Sequence, residues 1–242
     1  MKKILAVIGS PNNEKSNTAA MVRDFLEMVG AYANDVAWDI VSLGETPVNP
    51  CRGCWACMKT GSCVHRDDAL PEVMRKIRAC DLLIIGTPVY ELHISAQLKA
   101  LFDRTFMWIH LIGLMGKPVM TAATTGGDSP GRAERYVKGV MAMMGCIQVG
   151  RLRGIGKQPG VFPDRERCRA KHRPLARKIA DILGGRRKAR PGLYNALCFL
   201  IMKMHPRRVI KVGNTHRTDP AYTAYEHKYW QEKGWFHMSY RK

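Results

Sequence analysis

Ile4-Leu5-Ala6-Val7-Ile8-Gly9-Ser10-Pro11-Asn12-Asn13-Glu14-Lys15-Ser16-Asn17-Thr18 reads as a strand that ends at a glycine, a polar turn, and the opening of a helix. Five apolar residues in a row suit a strand covered on both faces, as in a parallel sheet. From residue 18 to 29 the apolar positions recur at helical spacing. The same change of period repeats along the chain. Strands are expected at residues 4–8, 36–43, 82–86, 119–124 and 146–149, and helices at 18–29, 70–79, 95–106 and 133–144. The order β-α-β-α-β-α-β-α-β predicts an α/β fold, a doubly wound five-stranded parallel sheet with helices on both faces. Ligands of such sheets bind beyond the carboxyl ends of the strands, which directs attention to the loops after the first, third and fourth strands.

Beyond residue 150 the pattern weakens. Residues 165–183 are expected to form a last helix on the sheet, followed by Gly184-Gly185, a basic stretch and an apolar segment at 193–202. Charge divides at the same place. The chain of 242 residues holds 39 Lys and Arg against 20 Asp and Glu, net +19. Residues 1–150 carry 16 basic and 14 acidic side chains, whereas residues 151–242 carry 23 and 6. We therefore divide the chain into a domain at 1–184, with a cysteine-rich loop at 51–63, and a basic C-terminal extension or oligomerisation arm at 185–242. Arg186-Arg187-Lys188-Ala189-Arg190 and Pro206-Arg207-Arg208 flank the apolar segment, which permits peripheral contact with an anionic membrane. The favoured reading is an arm that buries Leu193, Leu197, Leu200 and Ile201 against another subunit of a homo-oligomer. Specific nucleic-acid binding is not expected, because no recognition motif accompanies the charge.

The first apolar run is shorter than the ~7–15 residues of a signal-peptide core, and the longest later one falls short of the ~20 needed to cross a bilayer. A cytoplasmic location is expected, and the eight cysteines are read as thiols or metal ligands.

The loop after the first strand is dense in hydroxyls and amides at a helix start, a setting that can hold a phosphate; Ser16 or Asn17 serves equally well as an ordinary N-cap. It has neither the lysine of a nucleoside-triphosphate loop nor the G-x-G-x-x-G of a dinucleotide crossover. Thr87-Pro88-Val89-Tyr90 after the third strand offers a rigid turn with an aromatic ring. Thr124-Thr125-Gly126-Gly127 after the fourth lets backbone approach a flat ligand. Three such loops on one sheet edge predict a flavin mononucleotide site.

Ser10-Pro11 with Ser16-Asn17-Thr18, then Thr87-Pro88-Val89-Tyr90 running through Ser95-Ala96-Gln97-Leu98-Lys99 to Asp103-Arg104, resembles the NADPH-dependent FMN reductase family. The crowded cysteines resemble its iron-sulfur flavoprotein branch. The likeness covers residues 1–150 well and the tail loosely, through Tyr229-Trp230 and Lys233-Gly234-Trp235. It implies a flavodoxin-like fold with the FMN phosphate on Ser10, Ser16, Asn17 and Thr18. By the same likeness the ring lies against Pro88, Val89 and Tyr90 on one side and Thr124, Thr125, Gly126 and Gly127 on another. Asn12, counted with the cofactor residues, stands where relatives often carry an arginine, which leaves Lys15 as the nearby cation and puts more weight on neutral donors.

Cys51, Cys54, Cys57 and Cys63, spaced C-x2-C-x2-C-x5-C, can supply the four thiolates of a 4Fe-4S cluster. Zinc is the less usual match, and free thiols or a reversible disulfide are the remaining alternatives. Trp55 within the motif either covers a cofactor or packs. Cys80, Cys146, Cys168 and Cys198 are expected to be buried thiols. With FMN bound, NAD(P)H supplies a hydride and no protein acid or base is needed for that step. No catalytic residue is therefore assigned, and His93 is noted only as a neighbour of the ring loop. The expected electron acceptor is a quinone, a nitro or azo compound, free flavin or a protein. The alternative is an iron-sulfur flavoprotein that mainly transfers electrons.

Overall fold

The computed structural model describes residues 1–127, 129–211 and 221–238, with side chains at all of these except 205–211 and 221–223. The basic flank at Arg207 and Arg208 therefore lies outside the described side chains.

Five strands, β1 (Lys2–Ile8), β2 (Val36–Ser42), β3 (Leu82–Pro88), β4 (Pro118–Thr125) and β5 (Ile147–Ile155), form one parallel sheet in the order β2-β1-β3-β4-β5. This is the flavodoxin-like doubly wound order. Alternation sorts the apolar runs between two layers. Leu5 and Val7 of β1 and Leu83 and Ile85 of β3 face α3 (Leu70–Ala79), α4 (Ala96–Arg104) and α6 (Gly131–Met143). Ile4, Ala6, Ile8, Leu82 and Ile84 face α1 (Asn17–Gly30) and α7 (Arg165–Leu183). Each such side chain contributes about 1.5–3 kcal/mol by leaving water, which is why these runs carry no polar residue.

The structure departs from the sequence expectations in three places. β5 runs to Ile155, six residues past its expected end, because Arg151 and Arg153 interrupt the apolar signal on this edge strand while their backbone keeps its pairing with β4. The helix expected at 95–106 stops at Arg104, where the Thr105 hydroxyl donates to the carbonyls of Leu101 and Phe102; a separate turn, α5 (Met107–His110), follows. A short helix, α2 (Ala56–Thr60), lies inside the cysteine loop.

The C-terminal extension contains α8 (Leu193–Lys211) and α9 (Ala221–Glu232), and both pack back on the body. Phe199, Met202 and Trp230 bury against Ile112, and the Trp230 indole donates to the His110 carbonyl at 2.7 Å. Among the described residues no helix is long and apolar enough to cross a membrane.

Candidate functional site

The end of β1 is locked in place by close approach. The Gly9 N–H donates to the Gly86 carbonyl, and the Ser95 hydroxyl at the start of α4 donates to the Gly9 carbonyl. A Cβ at Gly9 would fall 2.6 Å from that of Leu98, so only glycine fits. From here the chain turns through Asn13, at φ +47°, into α1. The Ser16 hydroxyl accepts the Ala19 N–H at 3.1 Å and is buried as the N-cap. The N–H groups of Asn17 and Thr18 have no partner among the described residues, and they sit at the positive end of the helix.

The other two loops close around this helix end. The Val89 N–H donates to the Thr124 carbonyl at 2.8 Å, joining the loops after β3 and β4. Tyr90 and His93 exchange backbone hydrogen bonds across Glu91 and Leu92, which both hold positive φ in a two-residue turn that usually selects Asn-Gly. The turn leaves Tyr90 exposed, and its hydroxyl accepts from the Asn12 amide at 3.2 Å. The Thr18 and Thr124 hydroxyls meet at 2.6 Å in a buried contact between α1 and β4.

Together these loops form one cleft of about 110 Å3. Ser10, Asn12, Asn17 and Thr18 line it from the first loop, Pro88, Val89 and Tyr90 from the second, and Thr124, Thr125 and Gly126 from the third. Of the residues expected around a flavin nucleotide, Ser16 lies beneath the cleft as a cap and Gly127 is not in its wall. His93 packs on the Tyr136 ring, 4.6 Å between centroids.

A fourth loop, after β5, completes the wall with Gly156, Lys157 and Pro159, and sequence reasoning missed it. The Asn17 amide holds this loop by donating to the carbonyls of Gln158 and Val161 at 3.0 and 3.1 Å. A Cβ at Gly156 would come within 2.5 Å of that amide nitrogen. The glycines at 154, 156 and 160 were the available signal. Lys157 is the charged residue of the wall, so a cation from β5 joins the Lys15 that the sequence offered.

The donor set suits an FMN end to end: free helix N–H groups for a phosphate, neutral hydroxyls beside them, and open space at Gly127 where no atom lies within 4 Å of a Cβ. The enclosed volume is below the ~300–1,000 Å3 of a typical small-molecule site, so much of a flavin ring would lie along the open edge.

The cysteine loop lies between β2 and α3. Gly53 at φ +64° and Trp55 at φ +58° curl the backbone between the cysteines. Cys51 and Cys54 are exposed, Cys57 and Cys63 half-buried. Burial pushes the Cys57 thiol up, and Cys63, Cys51 and Cys54 add to that shift, so all four sulfurs share one electrostatic neighbourhood. Two sulfurs already accept N–H groups at 3.4 Å, Cys51 from Gly53 and Cys63 from the Arg104 side chain. Four thiols with such donors fit the chemistry of an iron-sulfur cluster. As placed, no three His, Cys, Asp or Glu side chains among the described residues converge closely enough to hold a metal ion. Trp55 is exposed. Cys80, Cys146, Cys168 and Cys198 are buried, as expected.

Arg104 was missed as well. Its guanidinium is buried and donates to the Asp68 carboxylate, the His65 carbonyl and the Asn49 carbonyl, so it ties both ends of the cysteine loop to α4. Burial pushes the Asp68 carboxyl up, but the Asn49 and Leu70 N–H groups and Arg104 outweigh it and hold the group below the usual range. From the other side α9 covers the loop, with Tyr225 against Gly61 and Tyr229 beside Cys57 and Met58.

A family model described as NADPH-dependent FMN reductase matches residues 2–159. The chain is 27% identical over 235 residues to an iron-sulfur flavoprotein of Archaeoglobus fulgidus, covering 96% of this chain and 99% of that protein. To an iron-sulfur flavoprotein of Methanosarcina thermophila it is 33% identical over 151 residues, 61% of this chain and 77% of that one. Among solved structures, an FMN-dependent NADH-azoreductase from Bacillus anthracis str. Ames Ancestor in complex with FMN is similar in fold. It has a TM-score of 0.56 at 15% identity, with 74% of this chain and 100% of that chain covered.

Proposed function

This chain belongs to the NADPH-dependent FMN reductase family, and from that premise we propose which residues hold the flavin and where its electrons go. It is an FMN-dependent NAD(P)H oxidoreductase. Bound in this cleft, FMN would supply acceptance of a hydride from the nicotinamide and release of the electrons singly or in pairs.

The phosphate is placed at the start of α1, on the Asn17 and Thr18 N–H groups, with Ser10, Asn12 and the Thr18 hydroxyl around it and Lys157 supplying charge. Ser16 acts indirectly, by capping the helix that presents those donors. The ring is placed between Pro88, Val89 and Tyr90 and the Thr124-Thr125-Gly126-Gly127 loop. The observation that carries this reading is the convergence of four strand-end loops on one cleft at unpaired helix N–H groups. No side chain is asked to act as acid or base. The protein's part is to orient the ring and to keep one edge open to nicotinamide and acceptor.

Cys51, Cys54, Cys57 and Cys63 are proposed to hold a 4Fe-4S cluster, which would supply single-electron transfer to a protein acceptor. Their donor chemistry and the likeness to iron-sulfur flavoproteins over nearly the whole chain support this. Closing the four sulfurs on one cluster requires a local shift of the loop. We also propose a cytoplasmic location, supported by eight unpaired thiols, and self-association through the outer face of α8.

The test is protein purified without air, with FMN, iron and acid-labile sulfide assayed per chain and NADPH and NADH oxidation followed. Stoichiometric FMN with iron and sulfide is expected. FMN without iron would leave a simple reductase with free thiols, and a chain that takes up no added FMN would refute the reading.

A further inference from the structure

Gly154-Ile155-Gly156-Lys157-Gln158-Pro159-Gly160-Val161 carries the chain out of β5 and along the cleft. Glycines at 154, 156 and 160 make this backbone costly to hold in one shape, so its place at the cleft depends on partners outside it. Two partners stand at the start of α1. The Gly160 N–H donates to the Lys15 carbonyl at 2.7 Å, and the Asn17 amide donates to the carbonyls of Gln158 and Val161. The Val161 carbonyl also accepts the Lys157 N–H at 2.9 Å. One oxygen thus joins the Asn17 side chain to the charged residue of the cleft wall.

This geometry limits what Asn17 can do for a phosphate. A side-chain amide has two N–H hydrogens and an oxygen that only accepts. Both hydrogens are committed to loop carbonyls, and turning the amide over would set its oxygen against those same carbonyls. A phosphate monoester is mostly doubly ionised at neutral pH and has no proton to give that oxygen. The side chain therefore offers the phosphate no bond of its own. Only the Asn17 backbone N–H does.

Charge is scarce at this end of the cleft. Ser10, Asn12 and Thr18 in its wall are neutral, while Lys157 is exposed and makes no ion pair among the described residues. A charge-assisted hydrogen bond to phosphate is roughly twice as strong as a neutral one, so the position of Lys157 weighs more than any single hydroxyl. That position is set by the loop, and the loop is held by Asn17.

We propose that Asn17 is a positioning residue: its side chain latches the β5 loop to α1 so that Lys157 meets the flavin phosphate, and the pair makes the cleft select FMN over riboflavin, which lacks that phosphate. The inference rests on the flavin reading above. The test is a fluorescence titration of the full chain, freed of flavin, with FMN and with riboflavin, in the parent, Asn17→Ala, Lys157→Gln and the double variant. Asn17→Ala keeps the backbone N–H and the Ser16 cap and puts a good helix former at the first helical position, so the fold is retained. Lys157→Gln is expected to weaken FMN binding by about tenfold and to leave riboflavin unchanged. Asn17→Ala should weaken FMN by a similar factor, again with riboflavin unchanged. The double variant should lose no more than the larger single loss, because both changes remove one interaction. Added salt should weaken FMN binding more in the parent than in either variant. Amide exchange at Lys157 and Val161 is expected to quicken in Asn17→Ala and to stay as it is in Lys157→Gln. Equal weakening of both flavins by Asn17→Ala, losses that multiply in the double variant, no effect of Lys157→Gln on FMN, or unchanged amide exchange in Asn17→Ala would each overturn the proposal. A parent that binds both flavins equally would overturn it too while leaving the flavin reading in place, whereas a parent that binds neither would refute that reading and the proposal with it.

Discussion

Thr18 and Thr124 stand 106 residues apart, yet their hydroxyls share a hydrogen bond in the wall of the cleft. Replacing Thr18 by Val keeps the shape and leaves the Thr124 hydroxyl buried without that partner, at a cost of about 1–3 kcal/mol. We expect Thr18→Val to lower the unfolding free energy from urea titration by that amount and to weaken FMN binding in a fluorescence titration; unchanged values in both would show that the pair does not matter. Arg104 makes a larger demand. It is buried with Asp68, so Arg104→Ala strands a carboxylate and is expected to cost about 3–5 kcal/mol in denaturant unfolding. The conservative pair Asp68→Asn/Arg104→Met should cost less, because no lone charge is left behind. The hydroxyls and amides of the first loop were legible in the sequence as a group. That Ser16 rather than Asn17 is the cap, leaving Asn17 to latch the β5 loop, was not, since one helical turn points these side chains in different directions.

At the scale of elements, α1 and α7 are joined by Asp24, whose buried carboxylate accepts from Arg165 at 2.7 and 2.6 Å and from Arg169 at 2.9 Å. Burial alone would raise its pKa, but the hydrogen bonds and charges of the two arginines prevail and lower it. A carboxyl that holds its proton more weakly folded than unfolded adds stability above the unfolded value of about 3.9, and that share is lost as pH falls through the lower folded value. The parent protein should therefore lose stability more steeply below about pH 4 than Asp24→Asn, measured by thermal unfolding across pH 2–7. Parallel curves would show that the pair contributes nothing. Central strands such as β1 and β3 were readable because both faces are buried and the apolar run is unbroken. The far half of β5 was not, because an edge strand carries arginines on its open side and its backbone is satisfied by β4 and by His172.

For the whole molecule, the outer face of α8 is the open question of packing. Leu193, Leu197, Leu200 and Ile201 are 77%, 52%, 51% and 49% exposed, while Cys198, Phe199 and Met202 on the same helix are buried. A helix apolar on both sides calls for cover on both. The variant Leu197→Asp/Leu200→Asp is expected to shift sedimentation from an oligomer to a monomer without changing FMN affinity; an unchanged sedimentation coefficient would exclude this face as the interface. By itself the sequence determined the order of strands and helices, the three loops at the sheet edge and the crowding of four thiols. These are local properties, set by which side chains leave water and where glycine and hydroxyls interrupt them. Only the tertiary structure decided that a fourth loop closes the cleft, that Arg104 is buried to tie the cysteine loop to α4, and that α9 folds back over Cys57. Each of those depends on partners tens of residues away in the chain, which meet only once the sheet has set the distances between its loops.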